Sequence, residues 1–185
     1  MTPRDGTALL LRAIAFAADR HRKQKRKDRA KTPYINHPVE VASLLADVGG
    51  VVDLNVLLAA VLHDTVEDTG TKPRELEAMF GKEVRRLVEA LTDNKRLHKA
   101  TRKRLQIEHA PHLPPGAKLI KLGDKITNVR EVADKPAIGW SLARRREYLD
   151  WAARVAAGCR GVNPALEAKF YHELRRARRV LAAKR

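Results

Sequence analysis

Apolar residues recur at helical spacing along nearly the whole chain. Leu10, Ala13, Ile14 and Ala17 lie three or four apart, which predicts a helix over residues 7–21. Val41, Leu44, Leu45 and Val48 form the apolar side of a second, with Pro38 in its first turn and Gly49-Gly50 as its stop. Asp53 is placed to cap a third, whose apolar side is Leu54, Leu57, Leu58, Val61 and Leu62. The same periodicity carries this helix on through Asp68. Lys72-Pro73 opens a fourth, read as one piece that buries Leu76, Phe80, Val84, Leu87, Val88 and Leu91. A short basic helix is expected over 99–110, then a loop at Pro111, Pro114, Pro115 and Gly116. Leu119, Leu122, Ile126 and Val129 mark an amphipathic helix over 117–133, and Ser141–Ala157 and Pro164–Ala183 close the chain as two more. No run sustains the period-two alternation of a strand. The expectation is a compact all-α domain spanning residues 1–185, without repeat or linker.

Composition adds a charge signal. The chain has 185 residues, ordinary hydrophobic content (44%) and few aromatics (4%), so its core is expected to rest on Leu, Val, Ile and Ala. Cys159 is the one cysteine, which excludes an intrachain disulfide and a thiolate zinc site. No apolar run approaches the roughly 20 residues that cross a bilayer, and Arg4, Asp5 and Arg12 interrupt any signal-peptide core, so a cytoplasmic protein without a membrane partner is expected. The net charge of +16 implies an anionic partner: nucleic acid, an acidic membrane surface or a phosphorylated small molecule. Against that background Asp64, Glu67 and Asp68 stand close together, as suits a metal ion that meets a phosphate. Most of the basic side chains of Arg20–Arg29 and Arg175–Arg185 read as solvated surface, and at most one or two of Arg144, Arg145 and Arg146 can face a pocket. Trp140 and Trp151 read as core or hinge residues.

Three groups of residues carry candidate chemistry. Ala60, His63, Asp64, Glu67 and Asp68 form a second stripe on the third predicted helix. An imidazole beside a carboxylate, with two more acids one turn on, looks like a ligand pair followed by proton-transfer groups. Such doublets also arise by chance, and Glu67 to Gly70 would serve as a polar helix end. Asp124 and Asn128 are one turn apart and able to share a ligand site; the plainer alternative is a solvated face with Lys121 and Lys125 as counter-ions. His37, between Asn36 and Pro38, would by itself serve as a capping or packing residue.

Taken together, an early His, a His-Asp doublet and a distant Asp have the order seen in the HD phosphohydrolase superfamily. The segments Thr32–Pro38, Leu62–Thr69 and Ile120–Asn128 resemble the hydrolase domain of RelA/SpoT proteins, and Lys99–Pro111, Pro115–Lys118 and Glu147–Trp151 follow the course of its stand-alone small alarmone hydrolases, of which the metazoan SpoT homologue is an example. The resemblance runs from the first helix to the last and leaves no residues for synthetase or regulatory domains. It implies an HD-type helical fold and Mn²⁺-dependent removal of the 3′-pyrophosphate from guanosine tetra- and pentaphosphate, (p)ppGpp, in stringent-response control. By the same resemblance His37, His63, Asp64 and Asp124 would bind the metal, Glu67 and Asp68 would activate the attacking water, and Arg26, Lys27, Asn128, Lys99, Arg144 and Tyr148 would contact the nucleotide. Gly123 in place of the common alanine and Ile126-Thr127 in place of Leu-His or Leu-Tyr depart from the pattern, with an expected bearing on how the base or ribose fits.

Two other functions compete. Removal of the 2′-phosphate of NADPH poses a similar problem beside the same ion. A basic RNA- or nucleotide-binding protein on a retired scaffold would be expected to have lost one of the four ligand residues, so nucleic acid is the less favoured partner. Oligomeric state is not legible in the sequence.

Overall fold

The structure is a computed structural model that describes residues 3–183. Among these residues it holds ten α-helices: α1 (Pro3–Arg20), α2 (Asn36–Asp47), α3 (Leu54–Leu62), α4 (Thr65–Thr69), α5 (Pro73–Phe80), α6 (Lys82–Leu91), α7 (Lys99–His109), α8 (Pro115–Asp134), α9 (Leu142–Ala157) and α10 (Pro164–Ala182). The expected all-α class holds; the basic loop after α1 contributes only an isolated antiparallel bridge, Lys25 to Pro33.

Helix α8 is the axis, packed against α2, α3, α6, α9 and α10. Because neighbours surround it, it buries far more than the single stripe the pattern predicts, including Ala117, Ile120, Gly123, Thr127 and Ala133. Helix α3 is apolar except for the exposed Asn55, as suits a helix enclosed over most of its surface, and buries Val56, Ala59 and Ala60 as well as Leu58, Val61 and Leu62. One connected core joins the helices, with Phe170, Leu45, Leu58, Leu76 and Ile120 among its fully buried side chains. Val48, expected inside, is exposed.

Three boundaries differ from expectation. The third helix does not continue through Asp68. It stops at Leu62, where the buried Thr65 hydroxyl donates to Leu62 O (2.7 Å), Asp64 takes φ −97°, ψ −5°, and α4 starts in a new direction. A side-chain hydroxyl here replaces the backbone ladder. The fourth breaks at Gly81, whose φ of +91° belongs to glycine, so α5 and α6 form a corner. The proline segment is shorter than expected: a 3₁₀ turn covers Ala110–His112 and Pro115 already starts α8, since a first helical residue has no use for its N–H.

Gly123 explains how α2 and α8 meet. A Cβ there would lie 3.1 Å from Val41 Cγ1 and 3.2 Å from Leu45 Cδ2, so the missing methyl lets the helices close in. His37 stands one turn before Val41, and Asp124 follows Gly123. Gly123 thus bears on the spacing of these two residues. Arg145 fastens α9 to the end of α8: its buried guanidinium donates to Val132 O (3.0 and 2.8 Å) and Ala133 O (3.2 Å), which lack partners within the helix. Arg146 instead reaches Leu181 O (3.2 Å). Arg176, within the basic last helix, pairs with Asp134 and Glu173, and Arg178 pairs with Asp150.

Candidate metal centre and anion cavity

The start of α2, the α3–α4 break and the middle of α8 converge on one small cavity. His37, His63 and Asp124 each point a ligand atom into it, all within 4.8 Å of one another. Asp64 completes the set: its Oδ2 lies 3.1 Å from His63 Nε2 and 4.0 Å from His37 Nε2, while His37 Nε2 is 3.2 Å from Asp124 Oδ1.

The neighbours of each imidazole decide which nitrogen is free. His63 Nδ1 lies 2.7 Å from Ala60 O. A carbonyl can only accept, so Nδ1 carries the hydrogen and Nε2 becomes the ligand atom. That Nε2 is buried and without a hydrogen-bond partner. Around His37, the Thr127 hydroxyl donates to Asp124 O (3.0 Å) and is left to accept from Nδ1 (3.4 Å), while Nε2 faces Asp124 Oδ1 at 3.2 Å, the contact a cation shared by the two would replace. Thr127, one of the departures from the family pattern, therefore touches the imidazole of a candidate ligand. Orientation of both rings by their second nitrogen is how histidine ligands are held.

Electrostatics favour ionised carboxylates despite burial. Burial would raise the Asp64 pKa, yet the adjoining His63 and His37 hold it below the usual carboxylate range. Asp124 is held well below that range, burial being outweighed by Lys125 and His37. Lys125 Nζ sits 2.8 Å from Asp124 Oδ2 and 4.5 Å from the centre of the Trp151 ring. For His63, burial lowers the pKa but Asp64 and Asp124 raise it to about 9. A buried, proton-competent imidazole with an orphaned nitrogen, between two carboxylates kept charged, fits a divalent cation. Two nitrogen and two oxygen donors suit an ion of borderline hardness, with the remaining positions left to water or substrate.

Several residues that sequence reading passed over complete the wall. Tyr34 Oη donates to Asp64 Oδ2 (2.6 Å); burial and that carboxylate raise its pKa, so it stays a donor. Asp68 accepts from Gln24 Nε2 (2.9 Å) and pairs with Lys95. Gln24 is in turn 2.7 Å from His21 Nδ1 through its Oε1, which orients the amide toward Asp68. Glu67 accepts the Asp93 backbone N–H (3.0 Å) and faces Arg102 at 3.8 Å; burial pushes its pKa up. Tyr34 lies inside a quoted motif and was open to recognition; Gln24, Asp93 and Arg102 meet the site only through the fold.

Lys121 and Lys125 do not serve a solvated face as the plainer reading of α8 supposes. Both are buried in the cavity wall, exposing 8% and 4% of their surface. Stems this long carry an ammonium to a pocket from within the core.

The cavity measures about 190 Å³ and opens into a larger one of about 350 Å³ through the shared residues Arg26, Tyr34, Asp68 and Asn128. Arg26 is held at this junction by Glu131 and by Asn128 Oδ1 (2.9 Å), while Asn128 Nδ2 donates to Asp124 Oδ1 (2.5 Å). Lys27 and Tyr148 line the larger cavity, and burial pushes the Tyr148 hydroxyl up to about 12. Trp140 lines it too, so it is not purely core or hinge; the exposed Arg144 guanidinium lies 4.6 Å above its ring. Lys99, at the start of α7, is close enough to Arg144 and Lys27 for their charges to lower its pKa along with partial burial. The expected metal-type groups thus line the small cavity, Arg26, Asn128 and Asp68 stand at the junction, Lys27 and Tyr148 line the large one, and Arg144 and Lys99 lie outside both linings, Arg144 over the Trp140 ring.

Comparison with known proteins agrees. The HD domain model matches residues 13–157. Among curated relatives, the guanosine-3′,5′-bis(diphosphate) 3′-pyrophosphohydrolase MESH1 of Xenopus tropicalis is 53% identical over 165 residues, covering 89% of this chain and 92% of that protein. The human protein of the same name is 54% identical over 165 residues with the same coverage. The GTP pyrophosphokinase rsh of Brucella melitensis is 38% identical over 129 residues, 66% of this chain but 17% of that much longer protein. A solved structure, described as a metazoan ortholog of SpoT that hydrolyzes ppGpp and plays a role in starvation responses, superposes with a TM-score of 0.89 at 43% identity over 91% of this chain and 95% of that one. The chain belongs to the HD-domain family, on its RelA/SpoT-related branch beside the metazoan SpoT orthologue.

Proposed function

We propose that the chain is a metal-dependent 3′-pyrophosphohydrolase of (p)ppGpp, acting in the cytoplasm as a single catalytic domain. The observation that carries this reading is the junction of the two cavities. A ligand-type cluster of two histidines and two aspartates opens directly into a wall of cations and aromatic rings large enough to take part of a nucleotide. The activity named for the MESH1 relatives and for the superposable SpoT orthologue supplies the substrate class.

His37, His63, Asp64 and Asp124 would hold the ion, with Mn²⁺ as the proposed metal. When bound, it supplies Lewis acidity, polarising a phosphoryl oxygen and lowering the pKa of a coordinated water. Glu67 is the proposed general base, since a carboxyl group with a raised pKa is better matched to proton transfer near neutrality. Asp68, fixed by Gln24 and Lys95, orients the water. The water gives its proton to Glu67 and its oxygen to the phosphorus next to the ribose. The bond from that phosphorus to the 3′-oxygen breaks, the 3′-oxygen leaves with the bonding pair and takes up a proton, and pyrophosphate and GDP or GTP result. Arg26 and Asn128 position the phosphoryl groups at the junction. Lys27 and Tyr148 line the nucleoside end, and Arg144 and Lys99 are proposed to reach it from its edge, where Arg and Lys offset phosphate charge.

A substrate panel tests this. Purified protein is incubated with Mn²⁺, with and without chelator, against ppGpp, pppGpp, NADPH and deoxynucleotides, and products are resolved by chromatography. Chelator-sensitive release of pyrophosphate from the guanosine substrates is expected. Orthophosphate release from NADPH alone would replace this reading with the 2′-phosphatase one, and salt-sensitive RNA binding without any hydrolysis would replace it with the binding-protein one.

A further inference from the structure

A third cavity of about 290 Å³ adjoins the metal cavity on the side away from the nucleoside pocket, sharing Leu91, Gln106 and Lys121 with it. Two cationic side chains from different helices face it with unused capacity. Lys121, on α8, is 8% exposed, and among the described residues its ammonium makes neither an ion pair nor a hydrogen bond. Its neighbour one turn on, Lys125, is by contrast satisfied by Asp124. Arg102, on α7, stands 3.8 Å from both Glu67 and Asp93, and its Nε is buried without a partner. Asp93, the single acidic group lining this cavity, is already engaged by Gln106 Nε2 at 2.7 Å.

A buried ammonium without a counter-charge is costly, and removal from water is offset only when an anion meets it. Burial lowers the Lys121 pKa and Lys125 acts in the same direction, while Asp124, Asp93 and Asp64 oppose them without any of the three coming within ion-pairing distance. An anion arriving between Lys121 and Arg102 would supply the direct partner that Lys121 lacks and an acceptor for the unpartnered Nε of Arg102, whose NH1 already faces Glu67 and Asp93 at 3.8 Å.

We propose that this third cavity is a subsite for the terminal phosphoryl group of a diphosphate, held by Lys121 and Arg102. Resting on the hydrolase reading above, it assigns opposite ends of the substrate to opposite sides of the metal centre. The nucleoside lies in the large cavity, and the far phosphoryl of the 3′-diphosphate lies between α7 and α8, from which free pyrophosphate then departs. The same chemistry would hold inorganic pyrophosphate as a product, whereas orthophosphate has no second phosphoryl group to offer Lys121 and Arg102 while the first lies at the metal centre.

The test is calorimetric titration of the metal-loaded protein with inorganic pyrophosphate and with orthophosphate. It compares the native chain with Lys121→Met and, as a more exposed second position, Arg102→Gln. Metal content is measured on each sample. Lys121→Met is expected to weaken pyrophosphate at least about tenfold, the scale of one charge-assisted hydrogen bond, while leaving orthophosphate and metal content unchanged. It is also expected to melt close to the native chain, since no direct ion pair or hydrogen bond is lost. Arg102→Gln is expected to weaken pyrophosphate in the same sense. Native pyrophosphate affinity in both variants would overturn the subsite, even if (p)ppGpp is hydrolysed. Selective loss of pyrophosphate binding in a chain that leaves (p)ppGpp intact would uphold the subsite and sink the activity reading instead.

Discussion

Replacing Glu67 with glutamine separates chemistry from architecture. The side chain is partly buried at the α4 end of the site, where one oxygen accepts the Asp93 N–H at 3.0 Å and the other faces Arg102 at 3.8 Å. Glutamine keeps the size and can keep the first contact through its carbonyl; it loses the loose ion pair and the ability to take a proton. A positioned general base contributes about 10²–10⁴-fold, so turnover should fall by that factor, a barrier increase of about 3–5 kcal/mol. Stability should move the other way. Burial raises the folded-state pKa of Glu67, so the folded chain binds the proton more tightly than the unfolded one, and this group's contribution declines as pH rises from its unfolded pKa through the raised folded value. At neutral pH a neutral glutamine avoids that penalty and should melt at or slightly above the native temperature. The assay is steady-state pyrophosphate release at saturating substrate, with metal content and thermal melting measured on the same preparations. Activity within about threefold of native, with metal fully loaded, would refute the assignment of Glu67 as base.

Two further outcomes follow from other parts of the molecule. In the metal-free protein His63 is raised from 6.5 to about 9, so its contribution to stability is fully present below about pH 6.5 and lost as pH rises through 9; urea midpoints of chelator-treated protein should fall across that window, and His63→Gln should flatten the fall, an unchanged slope counting against the buried ion pair. Arg145→Met removes the donors that close the end of α8, at a cost of about 2 kcal/mol, or about 4–8 °C in melting temperature, with little change in turnover of the folded enzyme; a variant that melts like native would show that water replaces the guanidinium there.

The helices and the ligand set were legible in the sequence for one reason: periodicity and residue type are local properties. His37, His63, Asp64 and Asp124 could be picked out because their chemistry is unusual in a chain short of acids, and the resemblance supplied their order. What escaped was set by packing. The break after Leu62 depends on a buried threonine hydroxyl, which looks like any other polar residue in a pattern. The plainer alternative for α8 sets Lys121 and Lys125 toward solvent because polarity stands in for exposure in such patterns, yet five neighbouring helices leave α8 almost no solvent side. Gln24 reaches Asp68 across 44 positions, and Arg26 reaches Glu131 across 105. Contacts of that span exist only after folding.

The proposed hydrolysis depends on a single ion held by His37, His63, Asp64 and Asp124. The direct measurement is manganese content and pyrophosphate release from ppGpp, on the same samples, for the native chain and for Asp124→Ala and His63→Ala. One Mn²⁺ per native chain is expected, with metal and activity lost together in both variants and restored together when chelated native protein is resupplied with Mn²⁺. Full metal content in the variants without activity, or undiminished pyrophosphate release without metal, would contradict it.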